Sequence, residues 1–274
     1  MNYLYCMNDY KLYKGAWVYQ GKPHEETRLT SQQMKGLLKQ GGVMVRNCYD
    51  FDCQEITSYW WIIKSKFVDI SLFNKKNRKY IEKAYSLLDI GEITKERMIK
   101  EAYFVYKAAF TKYSIHTRQQ SQSEFVNGIL NADDNIHYWG ASVKETGQLV
   151  AFVICKVYDD ICEYMTSKAD PSFLPKYYPL YGLYYARDEY YLNQLKLKYV
   201  ISGARTITEH SNIQTFLQDK FYFRKAYCKL WIKYVWWLKI IVDILYPFRN
   251  IISINSIKAV LNQEAMVREN RLKS

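Results

Sequence analysis

Between Tyr199 and Tyr234 the apolar pattern of this chain changes period twice, and few folds accommodate the order of elements that results. Tyr199-Val200-Ile201 is too short for a helix and rich in β-branched and aromatic residues, so it reads as a buried strand. Ser202-Gly203 interrupts it, and a polar loop runs from Ala204 to His210. Ser211-Asn212-Ile213-Gln214 then has the form of a capping box, after which Ile213, Phe216, Leu217 and Phe221 recur at helical spacing. From Phe223 the period becomes two. Ala226, Cys228, Leu230, Ile232 and Tyr234 share one face, and Lys225, Tyr227, Lys229, Trp231 and Lys233 share the other. The expectation is strand, loop, capped helix, then a strand with one buried side and one basic, aromatic side.

The upstream pattern extends this order. Met98, Ile99, Ala102, Tyr103, Tyr106, Ala109, Phe110 and Tyr113 predict a long helix from Thr94, and Ser121 with Glu124 caps a second one carrying Phe125, Val126, Ile129 and Leu130. Three runs follow at strand length, His137 to Val143, Leu149 to Val157 and Ile161 to Thr166, joined by turns and therefore expected as an antiparallel meander with the second run buried. A Tyr-rich helix from about Pro179 to Leu197 leads back to Tyr199. Nearer the N-terminus, residues 31–38 read as a short helix, and Val43-Met44-Val45 and Tyr59 to Lys64 read as strands. The basic run Lys75 to Lys79 leads into a helix bearing Tyr80, Ile81, Ala84, Leu87 and Leu88, then a short strand from Asp89 to Ile93. Residues 1–41 are the least informative part. The fold class expected is α/β (α+β), a mixed, mostly antiparallel sheet with helices on both faces.

That order, and the final third in particular, resembles the GNAT acyltransferase fold, whose closing pattern N-x-x-A-x-x-L-Y-x-K-x-G-F is met by Leu217, Lys220 and Phe223. The chain departs from it with Ser211 at the Asn, Gln218 at the Tyr that serves many members as general acid, and Tyr222 at the Gly. The basic helix start at Lys75 followed by a short strand looks like the opening of the catalytic domain in Fem-type transferases, which build peptidoglycan cross-bridges on a GNAT-like fold. The resemblance covers roughly residues 75 to 235. It implies an N-terminal segment over 1–74 partly integrated into the sheet, an acyltransferase domain over 75–235 and a helical extension over 236–274.

Length and a 49% hydrophobic content suffice for a full core. The formal charge of +12 favours anionic partners: nucleic acid, phosphorylated small molecules or an acidic membrane surface. The six cysteines form no CxxC pair and no Cys/His cluster of metal spacing, so they read as reduced thiols of a cytoplasmic protein without a metal, with Cys155 and Cys228 buried in strands. The opening residues lack the charged, apolar and small-residue triplet of a signal peptide, so none is expected, and no window reaches the ~20 apolar residues of a membrane-spanning helix. Residues 231–249, rich in Trp, aliphatic and basic side chains, fit either packing onto the sheet or peripheral contact with the inner face of a membrane.

Candidate site residues come from position and charge. In the loop after Ser202, Arg205 suits a phosphate or carboxylate, and Glu209 or His210 suits proton transfer from an attacking amine. Equally, Arg205 and Glu209 fit a surface ion pair. Glu163 is the one carboxylate in the third meander strand, a general base or a solvent-facing partner of a lysine. GNAT enzymes hold the acyl-CoA pyrophosphate at a glycine-rich turn after that strand, where this chain has Asp170-Pro171-Ser172-Phe173-Leu174-Pro175-Lys176, with Lys176 as the obvious phosphate partner. Arg224 and Lys225 add basic character at the last strand. The resemblance implies N-acyl transfer from acyl-CoA or aminoacyl-tRNA to an amine of a cell-envelope or sugar precursor. The alternative is a non-catalytic basic module on the same scaffold, binding an acidic polymer or membrane.

Overall fold

A computed structural model of the chain describes residues 9–111, 118–207 and 213–271. In chain order the elements begin with β1 (Tyr10–Tyr13), β2 (Ala16–Tyr19), α1 (Ser31–Lys39), β3 (Met44–Tyr49) and β4 (Tyr59–Lys64). They continue with α2 (Lys75–Leu87), β5 (Leu88–Glu92), α3 (Lys95–Phe110), α4 (Gln122–Leu130), β6 (Ile136–Val143), β7 (Leu149–Val157) and β8 (Ile161–Ala169). The last group is α5 (Leu174–Tyr177), α6 (Pro179–Asp188), β9 (Tyr199–Ala204), α7 (Ile213–Phe221), β10 (Arg224–Tyr234), α8 (Trp236–Leu245) and α9 (Asn255–Arg271). From α2 onward this is the GNAT order: short strand, two helices, three-stranded meander, helix, strand, helix, strand. The fold is GNAT-like, a mixed and mostly antiparallel α/β architecture.

The chain divides into two compact units, neither of them continuous in sequence. The first holds residues 1–62, 204–211 and 225–274, with strands in the order β1-β2-β3-β10-β4. Sequence patterning missed its opening hairpin. Lys14 and Gly15 both take positive φ, 48° and 81°, which gives the two-residue turn whose twist matches paired strands. Tyr10, Leu29, Met34, Leu37 and Val45 form a core under that hairpin and α1. Beneath it, Glu26 accepts from Tyr10 Oη at 2.8 Å, from the Cys48 amide at 2.8 Å and from Asn47 Nδ2 at 3.2 Å. Asn47 Oδ1 in turn accepts the Leu29 amide at 2.8 Å. Burial lifts the Glu26 carboxyl to about 7 against these hydrogen bonds.

The second unit holds residues 63–203 and 212–224, with strands in the order β9-β8-β7-β6-β5. β5 to β8 pair antiparallel, and β9 joins β8 in parallel. The nearly unbroken apolar run of β7 is explained by burial on both faces. Phe152 and Ile154 pack with Met98, Ala102, Val105 and Tyr106 of α3 and with Phe125 and Ile129 of α4, whereas Cys155 meets Arg187 of α6 on the other face. Cys155 and Cys228 are buried free thiols, as the strand pattern predicts. The Ser121–Glu124 capping box is formed. The Tyr-rich helix ends earlier than its composition suggests, α6 passing into a π-helical turn at Glu189–Gln194. No helix among the described residues is long and apolar enough to cross a membrane.

Candidate active site

The parallel pairing of β8 with β9 lasts three residues. Ile161, Cys162 and Glu163 face Tyr199, Val200 and Ile201, and then the strands part, although β8 runs on to Ala169. The fork coincides with an irregularity in β8. Cys155 of β7 pairs with Tyr164 and Ile154 with Thr166, so Met165 between them is an extra residue with no place in the β7 ladder. Its side chain is half exposed, at 52%. Such bulges re-aim backbone and side chain, and they cluster next to active sites.

Behind the fork lies a buried ionic cluster. Lys64, Arg187 and Asp188 are almost wholly sequestered, at 3%, 0% and 0% exposure. Asp188 accepts from Lys64 Nζ at 2.6 Å and from Tyr164 Oη at 2.7 Å. The Arg187 guanidinium lies 3.8 Å over the Tyr164 ring and 4.4 Å over that of Tyr184, stacking that partly compensates its lost hydration. Its Nε donates to the Leu183 carbonyl at 3.2 Å and its Nη1 to Cys155 Sγ at 3.4 Å. Its Nη2 has no hydrogen-bond partner among the described residues. Burial opposes ionisation of Cys155, but a hydrogen bond from Cys162 and the Arg187 charge bring the thiol down to about 7. Burial likewise opposes the Arg187 charge, and Cys155, Tyr164 and Tyr184 outweigh it to hold the guanidinium above its usual range. Two basic side chains and one carboxylate are thus buried together, the carboxylate paired with Lys64 and the guanidinium set against Cys155 and two tyrosine rings.

Towards solvent, α6 begins in an aromatic and basic surround. Tyr178 adopts the left-handed conformation, φ 50° and ψ 44°, and its ring stacks on Tyr80 of α2 at 4.1 Å and 13°. Tyr181 meets Tyr80 edge-on at 5.1 Å. Lys76 lies over Tyr80 and Lys83 over Tyr178. Ser167 Oγ, on the part of β8 beyond its pairing with β9, is 2.8 Å from Tyr184 Oη and ties the fork to α6. The helix start itself is poor in free amides: Pro179 has none, and those of Tyr181 and Gly182 donate to the Tyr178 carbonyl.

Glu163 is the last β8 residue paired with β9, at the fork itself, and it stands opposite Lys156 of β7. Burial pushes its carboxyl above the ordinary carboxylate value, against the pull of Lys156 and of a hydrogen bond from Tyr158. Ser202 is the next β9 residue after the last pair and is half-buried. Lys176 is exposed and lies 5.1 Å from the Tyr177 ring centroid. Glu163, Ser202 and Lys176 belong to the second unit with the fork. Arg205 belongs to the first, where its guanidinium donates to the Ser58 carbonyl and its amide to that of Trp60. Lys225 lies in the same unit, 4.8 Å over the Trp60 ring. Arg224 is exposed at the start of β10. Glu209 and His210 lie outside the described residues. Among the described residues no group of three His, Cys, Asp or Glu side chains is arranged to hold a metal.

Sequence patterning missed the cluster of Lys64, Arg187 and Asp188. The signal was present as charges inside apolar runs, Lys64 closing Tyr59-Trp60-Trp61-Ile62-Ile63 and Arg187-Asp188 within a tyrosine-rich helix. Charges in such places are almost never buried unless paired, so their convergence is what a search for partners would have tested. Gln218, where the GNAT closing pattern has Tyr, donates to the Gln214 carbonyl of its own helix.

Neither a protein-family model nor a curated protein matches the sequence. Solved structures do. FemX aligns with a TM-score of 0.49 at 10% identity over 71% of this chain, which spans 65% of that protein's length. The C-terminal domain of a putative lysylphosphatidylglycerol synthetase from Agrobacterium fabrum aligns at 0.46 and 9% identity, covering 80% of this chain and 78% of that one. A conserved protein of unknown function from Staphylococcus epidermidis aligns at 0.43 and 14% identity, covering 80% and 84%.

Proposed function

We propose that this chain transfers an acyl or aminoacyl group from an activated, phosphate-bearing donor to an amine. The observation that carries the proposal is the fork between β8 and β9, opening at Glu163 and Tyr164 beside the bulged Met165. A fork of this kind admits an extended donor arm between strands, and the backbone at the bulged Met165 is the place assigned to a donor for the oxygen of the reacting carbonyl. The acceptor amine attacks the carbonyl carbon, the new N–C bond replaces the donor's C–O or C–S bond, and the leaving oxygen or sulfur departs with a proton. Glu163, its pKa raised by burial, is the group assigned to take the amine proton. The donor is already activated, so positioning supplies most of the rate and no covalent enzyme intermediate is required.

The surround of α6 favours aminoacyl-tRNA over acyl-CoA as donor. A compact pyrophosphate needs free amides at one helix start, which Pro179 and the Tyr178 carbonyl remove. Lys75, Lys76, Lys79 and Lys83 along α2, with Lys176 on α5, suit an extended phosphate backbone, and the Tyr80–Tyr178 pair offers an aromatic face for a terminal base. The acceptor class carried over from the Fem resemblance is an amine of a cell-envelope or sugar precursor.

The test is a binding titration of the intact chain against acetyl-CoA and aminoacyl-tRNA over a salt series, followed by single-turnover transfer to an amine acceptor. tRNA binding that weakens steeply with salt, with a slope lowered by about one for each phosphate-contacting lysine removed in Lys76→Ala and Lys83→Ala, supports the proposal. Tight, weakly salt-dependent binding of acetyl-CoA, unaffected by both substitutions, restores a CoA-dependent enzyme. Binding of tRNA without transfer assigns the chain to the non-catalytic alternative.

A further inference from the structure

Helix α8 presents apolar side chains on two sides. Leu238, Val242 and Leu245 face inward, packing in a core with Leu261, Met266 and Val267 of α9. Trp236, Trp237, Ile240, Ile241 and Ile244 face outward, across an arc of about 140° at 100° per residue. They are not marginally uncovered: Trp236 is 77% exposed and Ile244 62%. The face continues past the helix through Phe248 and Ile251, the latter 79% exposed. A contiguous apolar surface of this extent marks an interaction site. At ten residues α8 is too short to span a bilayer, so whatever covers the face does so from one side.

Charge decides between the occupants. Lys239 and Asp243 edge the face and are tied to each other and onward to Glu264 and Arg268 of α9, while Arg249 lies over the Tyr246 ring beside Phe248. The acidic groups at this edge are therefore already paired. Two copies of the chain meeting here would each bring a formal charge of +12. A bilayer with anionic headgroups supplies the opposite sign, and tryptophans beside isoleucines with flanking basic stems are the composition that settles at the depth of headgroups and upper acyl chains. We propose that the outward face of α8, extended by Phe248 and Ile251, docks peripherally on an anionic lipid bilayer. This goes beyond the transfer activity proposed above and does not depend on it.

The experiment is flotation of the full chain with vesicles of phosphatidylcholine, alone and with phosphatidylglycerol, accompanied by analytical ultracentrifugation without lipid. Capture by the phosphatidylglycerol vesicles, weakened at least about tenfold between low and high salt, is the expected result. The double substitution Trp236→Ser with Ile244→Ser removes two exposed side chains of the face, and is expected to lower partitioning about 100-fold while leaving the thermal transition and tRNA binding unchanged. Equal capture by both vesicle types overturns the anionic assignment, and no capture by either overturns docking. A dimer without lipid that the same double substitution dissociates assigns the face to a second copy of the chain instead.

Discussion

Each unit buries a carboxylate against a tyrosine hydroxyl, Glu26 with Tyr10 in the first and Asp188 with Tyr164 in the second, yet the two arrangements solve the burial problem in opposite ways. Glu26 collects donors from neutral groups and takes a proton readily, its pKa lifted to about 7 by burial. Asp188 is paired with a buried lysine, and the adjacent Arg187 keeps an unpartnered donor at Nη2. The first pattern fastens a loop to a strand and is complete in itself. The second buries basic groups behind a fork in the sheet and leaves one guanidinium donor unsatisfied, an arrangement found where a site stabilises developing negative charge.

Removing Asp188 is the strongest way to break this comparison. Asp188→Asn keeps an acceptor for Tyr164 but leaves the buried Lys64 without its carboxylate partner, and is expected to cost about 3–5 kcal/mol in urea denaturation. Adding Lys64→Met should recover most of that loss. A cost below about 1 kcal/mol for Asp188→Asn would show that water reaches the cluster and that the contrast with Glu26 is one of degree.

The pH dependences of the two clusters should run in opposite directions. Glu26 has a folded pKa of about 7 against an ordinary 4.5, so the native state holds its proton longer. The stability Glu26 contributes is therefore full below pH 4.5 and is lost as pH rises to 7, by about 3 kcal/mol at 1.36 kcal/mol per pH unit. Glu26→Gln should flatten that window and stabilise the protein by a similar amount at pH 8. Cys155, lowered from 9 to about 7 beside Cys162 and Arg187, gives the reverse sign: its contribution is present above pH 9 and lost as pH falls to 7. Cys155→Ala should flatten that second window. Melting curves of the two variants from pH 4 to 10 check both, and parallel slopes would undo the distinction.

A further substitution probes how tightly the second unit is held around the fork. Gly182 in α6 has space for no side chain, since a Cβ there would lie 2.2 Å from Ile90 Cδ1 and 2.9 Å from the Ala84 Cβ. Gly182→Ala should therefore cost about 1–3 kcal/mol by overpacking, in spite of alanine's better helix propensity. A neutral result in thermal unfolding would mean that α6 can slide, and that the Tyr178–Tyr80 stack is adjustable.

Much of this architecture was legible because it is written in local periodicity. The period-two face of β10, the stripe of α3 and the two-sided burial of β7 are each decided by neighbours a few residues apart. The β1–β2 hairpin was missed because its strands are four residues long and its turn is Lys14-Gly15, a weaker signal than Asn-Gly. The ionic cluster escaped for a different reason. Lys64 and Asp188 are separated by more than half the second unit's sequence, and no spacing rule connects them; only the placement of each charge in an apolar run hints at a partner. Glu163 and Ser202 were named from sequence position alone, whereas the strand divergence beside them is a property of pairing and invisible before the fold.

The smallest expected effect is a control on all of these, because each unit carries a fully formed capping box among its described residues. Thr30 accepts the Gln33 amide at 3.2 Å while Gln33 accepts the Thr30 amide at 2.7 Å, and Ser121 and Glu124 do the same at 3.2 and 2.8 Å. Both caps are solvent-exposed and local, so neither borrows from the buried cluster of its unit. Thr30→Ala and Ser121→Ala should each cost about 1 kcal/mol and add within about 0.5 kcal/mol in the double variant. Additivity in Thr30→Ala with Glu26→Gln, and in Ser121→Ala with Asp188→Asn, would assign the large effects to the clusters themselves. Coupling above about 1 kcal/mol in either pair would instead mean that each unit yields as one cooperative body, and that the cost of Asp188→Asn includes structure far from Lys64.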